Sequence, residues 1–168
     1  CRNAGKPLGD AKDEMGLAAD TFEYYGGAAN KHFGETIPVA GEGLDFTLRE
    51  PVGVCGLIVP WNFPLVIAAW KLGPALACGN TVVLKPAGET PLTALALAKL
   101  ADEAGLPPGA LNVVPGPGAI CGAALVTSRA ACVGRQAAGC GPLPRAHRAQ
   151  APARRRPRGE ARVLPPGR

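Results

Sequence analysis

No apolar run in this chain reaches the roughly 18 residues that a helix needs to span a bilayer. No basic-then-apolar leader opens it. These absences lead to the expectation of a soluble, cytoplasmic protein with no membrane partner. None of the six cysteines forms a C-x-x-C pair, and His32 and His147 stand far from any cysteine pair. The usual zinc-binding spacings are therefore missing, and no metal is expected. No segment repeats at solenoid spacing. The only methionine is Met15 and the chain opens on Cys1, which leads to the expectation of a piece cut from a longer reading frame.

Acid is almost absent from one end. Residues 1–128 carry eight Lys and Arg against twelve Asp and Glu, a net of −4. From Arg129 onward ten Arg face a single acid, Glu160, a net of +9. The same stretch lacks Phe, Trp and Tyr, has few large apolar residues, and shows no sustained period. Such a segment buries too little surface to offset its ordering entropy, so 129–168 is expected to be a disordered tail. Arg, Ala, Pro and Gly are also what GC-rich coding DNA spells out of frame, and the tail reads as a frameshift product.

What remains is well stocked for a core: 47% of the 168 residues are hydrophobic. Met15, Ala18, Phe22, Tyr25, Ala29 and Phe33 recur at three- and four-residue steps, predicting a helix over 10–34. "DFTLREP" alternates as a half-exposed strand does. "VGVCGLIVP" fits a strand buried on both faces. "PLVIAAWKLGPALACG" suits a buried helix that Pro74 should kink or split. "NTVVLKP" is a second core strand. "TPLTALALAKLADEAGLPP" is a helix with Thr90 as its N-cap and Gly105 as its C-terminal cap. "ALNVVPG" is a third strand and "GAICGAALVTS" the start of another helix. Strand and helix alternate three times between Val52 and Ser128, which argues for an α/β parallel sheet covered on both faces.

Dinucleotides bind at the carboxyl ends of such strands, where helix N-termini point N–H groups at phosphate. Three such ends occur, at "VPWN", "LKPAGET" and "VPGPGAICG". Gly116, Gly118 and Gly122 are spaced G-x-G-x-x-x-G, not the usual G-x-G-x-x-G, and a plain turn explains them as well. In isolation Lys85 reads as a solvated lysine at a strand end. Lys71 reads equally as a snorkelling surface lysine or a functional one.

Taken in order, "PWNFP" with "WK", "PALACGNTVVLKPA", "TPL", "EAGLPPG" and "NVVPGPG" resemble the aldehyde dehydrogenase superfamily, from about Ala4 to Ser128. "DEMGLAADTFEYYGG" and "IPVAG" are similar to its betaine-aldehyde-type members. The resemblance implies an incomplete Rossmann-like domain at 51–128, preceded by a helix and strand segment at 1–50 of the cofactor and oligomerisation region. It implies a small-molecule aldehyde as substrate, no nucleic-acid partner, and a homo-oligomeric parent.

In that family a cysteine thiolate attacks the aldehyde, hydride passes to NAD or NADP, and water releases the acid. Asn62 matches the amide that donates to the oxyanion, between two prolines that stiffen the backbone. Ile58, Val59, Pro60 and Trp61 match the strand end beside the cofactor. Lys85 matches the lysine that reaches the adenosine ribose, and Gly118 and Gly122 the glycines on the adenine side. Phe63, Ile67 and Trp70 match the substrate tunnel, and Lys71 a lysine near the catalytic centre. Gly88 stands where NAD-preferring members place a Glu, so NADP is also implied; Glu89 is the alternative partner of the ribose.

The departures are as informative. The family's G-Q-x-C nucleophile, L-E-L-G-G-K base and F-T-G-S-T turn are all missing. The resemblance therefore implies an inactive fragment. The alternatives are a non-catalytic nucleic-acid-binding protein using the basic tail, or a module that associates with intact subunits through "DFTLREP".

Overall fold

Gly79 and Gly105 close two helices in the same way, and those helices frame the molecule. A computed structural model describes residues 1–128, 131–134 and 144–149. Helix α1 spans Leu8–Ala28, and strands β1 (Thr36–Ile37) and β2 (Leu44–Arg49) follow. The next elements are β3 (Val54–Ile58), α2 (Pro64–Ala77), β4 (Thr81–Lys85), α3 (Leu92–Glu103) and β5 (Leu111–Val113). A π-helical turn at Gly118–Gly122 leads into α4 (Ala123–Thr127), and β6 (Cys132–Gly134) and β7 (Pro144–Ala149) complete the order.

Gly79 and Gly105 both have left-handed φ, +75° and +87°. After α2, Gly79 N–H donates to Leu76 O and Asn80 N–H to Ala75 O; after α3, Gly105 donates to Asp102 O and Leu106 to Ala101 O. Each pair is a Schellman motif, which a Cβ at the glycine would strain. Asn80, buried, then links helix to sheet: its amide donates to Ala75 O and accepts from Gly53 N–H.

The four core strands run parallel in the order β5–β4–β3–β6. Counted within this sheet the order is 3-2-1-4, as in the first four strands of a doubly wound dinucleotide-binding fold. The crossovers through α2 and α3 step the same way across the sheet, so right-handed connections put both helices on one face. There Cys55, Leu57, Val59, Val82 and Leu84 pack on Ala68, Leu72, Ala75 and Ala94, all buried. On the opposite face Val54 is exposed and Ile58 and Val83 are half-buried. Among the described residues the expected cover is therefore complete on the helix face and partial on the other, where Gly56 and Lys85 are nonetheless buried. The return crossover, which steps the other way, contributes only the Gly118–Gly122 turn and the short α4 among the described residues.

Other sequence expectations need correction. α1 ends at Ala28, not 34: Gly26 and Gly27 are poor helix formers, and Phe33 is left 73% exposed beyond it. Its buried stripe holds Glu14 and Ala18, while Met15 is 56% exposed. α2 runs unbroken through Pro74. The carbonyl that Pro74 leaves without its helical bond belongs to Trp70, an exposed residue. α1 lies close on α2, and a Cβ on Gly73 would stand 2.6 Å from the Tyr25 ring.

β1, β2 and β7 form a separate antiparallel sheet in that order. Most of the tail expected to be disordered, 129–168, lies outside the described residues. The two segments of it that are described as strands, Cys132–Gly134 and Pro144–Ala149, pair with β3 and β2. A free strand edge offers N–H and C=O groups to any extended segment, whatever its side chains, which is why composition did not foretell them.

Candidate functional site

The strand order reverses between β3 and β6, and in such sheets the crevice at the carboxyl ends of those strands takes the ligand. The end of β3 is built to be immobile. Val59 N–H donates to Lys85 O at 3.1 Å, extending the ladder one residue past the end of β3. Lys71, 8% exposed, reaches back from α2 and donates from Nζ to Ile58 O at 2.6 Å. This replaces the solvated reading of Lys71: its ammonium holds the strand end at which Pro60 and Trp61 emerge. Pro60, Trp61 and Asn62 are exposed. Among the described residues no hydrogen bond engages the Asn62 amide, so its N–H groups remain available to a ligand.

Lys85 is also buried, at 4% exposure, with Nζ donating to Pro86 O at 2.8 Å. The solvated reading fails here as well. A Cβ on Gly122 would lie 3.7 Å from Lys85 Cε, so the lysine stem runs against the Gly118–Gly122 turn. A Cβ on Gly88 would lie 3.9 Å from Gly116 O. The loops after β4 and β5 therefore meet, and Lys85, Gly88 and Gly122 belong to one wall. Gly118 is exposed at the start of its turn. Gly88 has neither a crowded Cβ position nor a left-handed φ, so backbone geometry does not require glycine there.

At the first two strand ends, leading N–H groups of the following helices are already taken by side chains of the N-terminal segment. At α2, Pro64 has no N–H, and the next two amides, Leu65 and Val66, donate to Glu14 Oε1 at 2.9 and 3.2 Å. At α3, Leu92 N–H donates to Asn3 Oδ1 at 3.0 Å, while Asn3 Nδ2 donates to Thr93 Oγ1 at 2.8 Å. Thr90 is not the side-chain cap: its Oγ1 is buried with no partner among the described residues. Caps brought from the N-terminal segment replace the expected local one. Glu14 and Asn3 lie far from these helices in sequence, so the only signal available was an acid within the apolar stripe of α1. Burial pushes the Glu14 carboxyl up. Lys6 and the N–H groups of Val66 and Leu65 outweigh it and hold the carboxyl below its ordinary value.

Phe63 and Trp70 are exposed on α2 and its first turn, at 47% and 53%. Ile67 differs: it is half-buried and packs partly on the core cluster. The Lys6 ammonium sits 3.6 Å from the Phe63 ring centroid. Among the described residues no three His, Cys, Asp or Glu come together as metal ligands, and no helix is long and apolar enough to cross a membrane.

The family model described as "Aldehyde dehydrogenase family" matches residues 1–133. Retinal dehydrogenase 2 of Homo sapiens is 54% identical over 127 residues, which are 74% of this chain and 24% of that protein. Omega-crystallin of Enteroctopus dofleini is 53% identical over 120 residues, covering 71% and 24%. The solved NAD+ complex of an aldehyde dehydrogenase from Bacillus cereus superposes with a TM-score of 0.76 at 48% identity, covering 78% of this chain and 27% of that one. The chain thus spans about a quarter of the length of these relatives.

Proposed function

Since the chain belongs to the aldehyde dehydrogenase family, we propose that it is the part of an NAD(P)-dependent aldehyde-oxidising enzyme that holds the oxyanion donor and half of the cofactor cradle. One observation carries this reading: Asn62 stands exposed at the carboxyl end of the first core strand, beside the switch point, with β3 and α2 both pinned on either side of it.

The dinucleotide, when bound, accepts a hydride. Lys85, Gly88, Gly118 and Gly122 hold its adenosine half, and Ile58 to Trp61 line its path. Phe63, Ile67 and Trp70 form one wall for the aldehyde. Asn62 donates its side-chain N–H to the oxygen that gains negative charge when a thiolate adds to the aldehyde carbon. A rigid donor stabilises that charge without reorganising, which is where its catalytic value lies. Lys71 acts one step back, through the Ile58 carbonyl. The thiolate and the general base have no counterpart motif in this sequence, so the chain alone turns nothing over. In the whole enzyme β2 contributes to subunit contacts, and the assembly is a homo-oligomer acting in the cytoplasm.

The test is to graft residues 1–128 in place of the matching segment of a full-length relative. The graft oxidises aldehyde with NAD, and Asn62→Ala lowers its kcat by about 10²–10³. Full kcat in the Asn62→Ala graft, or turnover by the unaltered 168-residue chain, overturns the reading.

A further inference from the structure

Asn62 sits in a three-residue bend between β3 and α2. The β3 side of this bend is held by the sheet and by Lys71. Its α2 side has no local means of support. Phe63 occupies the N-cap position and offers no side-chain acceptor, and Pro64 has no N–H. Left alone, the amides of Leu65 and Val66 would be orphan donors in a buried turn, and the helix start would fray.

One carboxylate meets this need from 51 residues away. Glu14, 6% exposed, takes both amides on Oε1. Its Oε2 accepts from Lys6 Nζ at 2.6 Å. The same ammonium lies over the Phe63 ring, next in sequence to Asn62. Lys6 and Glu14 therefore grip the residues that follow Asn62 twice, once by backbone and once by ring. The cavity around Glu14 is lined by Cys1, Asn3, Lys6, Met15, Pro64, Leu65 and Thr93, among others, and Lys6 is the cationic side chain in it.

We propose that Glu14 and Lys6 form a positioning pair for Asn62: they touch neither substrate nor cofactor and act by fixing the turn that aims the oxyanion donor. This rests on the reading of Asn62 as that donor. A local N-cap such as Ser or Asp at position 63 would satisfy the helix but would remove the aromatic face on which Lys6 rests. The long-range cap leaves position 63 free for a ring, and it ties the donor's loop to α1.

The pair is testable on the full 168-residue chain by amide hydrogen exchange and by the NMR signals of the Asn62 side chain. In Glu14→Ala, Leu65 and Val66 are expected to exchange about tenfold faster, the scale of one lost cap and its local opening. The Asn62 and Phe63 signals shift with them, while Leu84 in the core keeps its protection. Glu14→Gln keeps an acceptor at Oε1 and restores most of the protection. Lys6→Met leaves Leu65 and Val66 protected but moves Phe63 and Asn62. If Asn62 signals overlay those of the unaltered chain in all three variants, the pair is a helix cap and nothing more, and the proposal is overturned. Should Glu14→Ala unfold the chain, Glu14→Gln and Lys6→Met decide by the same criterion.

In the grafted enzyme, Glu14→Ala is expected to lower kcat about tenfold with KM unchanged, and Glu14→Gln to recover it. A fall in KM and kcat together without rescue marks a merely structural role and overturns the proposal. If Asn62→Ala is neutral in the graft, the donor reading fails, while the NMR result still reports whether the pair holds the turn.

Discussion

The pairs β3–β4 and β1–β2 are both hydrogen-bonded ladders, yet they stand on different footings. In the first, Cys55, Leu57, Val82 and Leu84 are at most 2% exposed and rest on two helices. In the second, β2 reads exposed or half-buried at every position, with Leu44 and Leu48 at 52% and 42%. The difference teaches where stability resides. Backbone pairing alone adds little net free energy in water, and burial of apolar side chains supplies the rest. The parallel layer closes on its own helices, whereas no residue of β1 or β2 is fully buried. The candidate site residues follow the same division. Asn62, Lys71 and Lys85 all depend on the parallel layer, and none depends on β1 or β2.

The comparison breaks most visibly under truncation. Leu84→Ala in the parallel layer is expected to cost about 2–5 kcal/mol. Leu48→Ala in β2 is expected to cost about 0.5 kcal/mol or less. Urea unfolding of the two variants side by side checks this, and equal costs would mean that β2 is covered after all.

A second probe sharpens it through the joint between α1 and α2. Glu14 has its folded pKa below the ordinary 4.5. A lowered folded value means stabilisation that is complete above the unfolded value and is lost as pH falls through the folded one. Glu14 is bonded to the Lys6 ammonium and to the amides of Leu65 and Val66, in a cavity that Cys1 also lines. Stability should therefore decline from about pH 5 downward, and less steeply in Glu14→Gln. Unfolding midpoints measured at several pH values decide it; parallel slopes for the two proteins would sink the assignment.

The smallest change concerns the cofactor wall. Gly88 has room for a side chain and an ordinary backbone, so Gly88→Glu is accommodated without strain. In the grafted enzyme kcat/KM for NAD over NADP is expected to rise about tenfold, or ~1.4 kcal/mol, because a carboxylate beside a 2′-phosphate adds repulsion. An NAD preference of a hundredfold or more that the substitution leaves unchanged would point to Glu89 as the ribose partner.

The order of strands and helices between Val52 and Ser128 was legible because it is local: short apolar runs, proline stops, and glycines at Gly79 and Gly105 that admit left-handed φ. The motif around Asn62 was legible for the same reason, its residues being consecutive. Several features were not legible, because each depends on groups distant in sequence meeting in space. Asn3 caps a helix that begins at Leu92, and Glu14 caps one that begins at Pro64. Lys71 and Lys85 look like surface lysines from their neighbours in the chain, and their burial follows from how α2 and the β5 loop fold over the strand ends. That both crossover helices lie on one face follows from the direction of travel across the sheet, which strand pairing sets. Between Val52 and Ser128 the sequence by itself determined which segments are strands and helices, and it determined which amide stands between two prolines. Only the tertiary structure decided what holds that amide still, since a buried helix start with no local acceptor must draw its partner from wherever packing brings one.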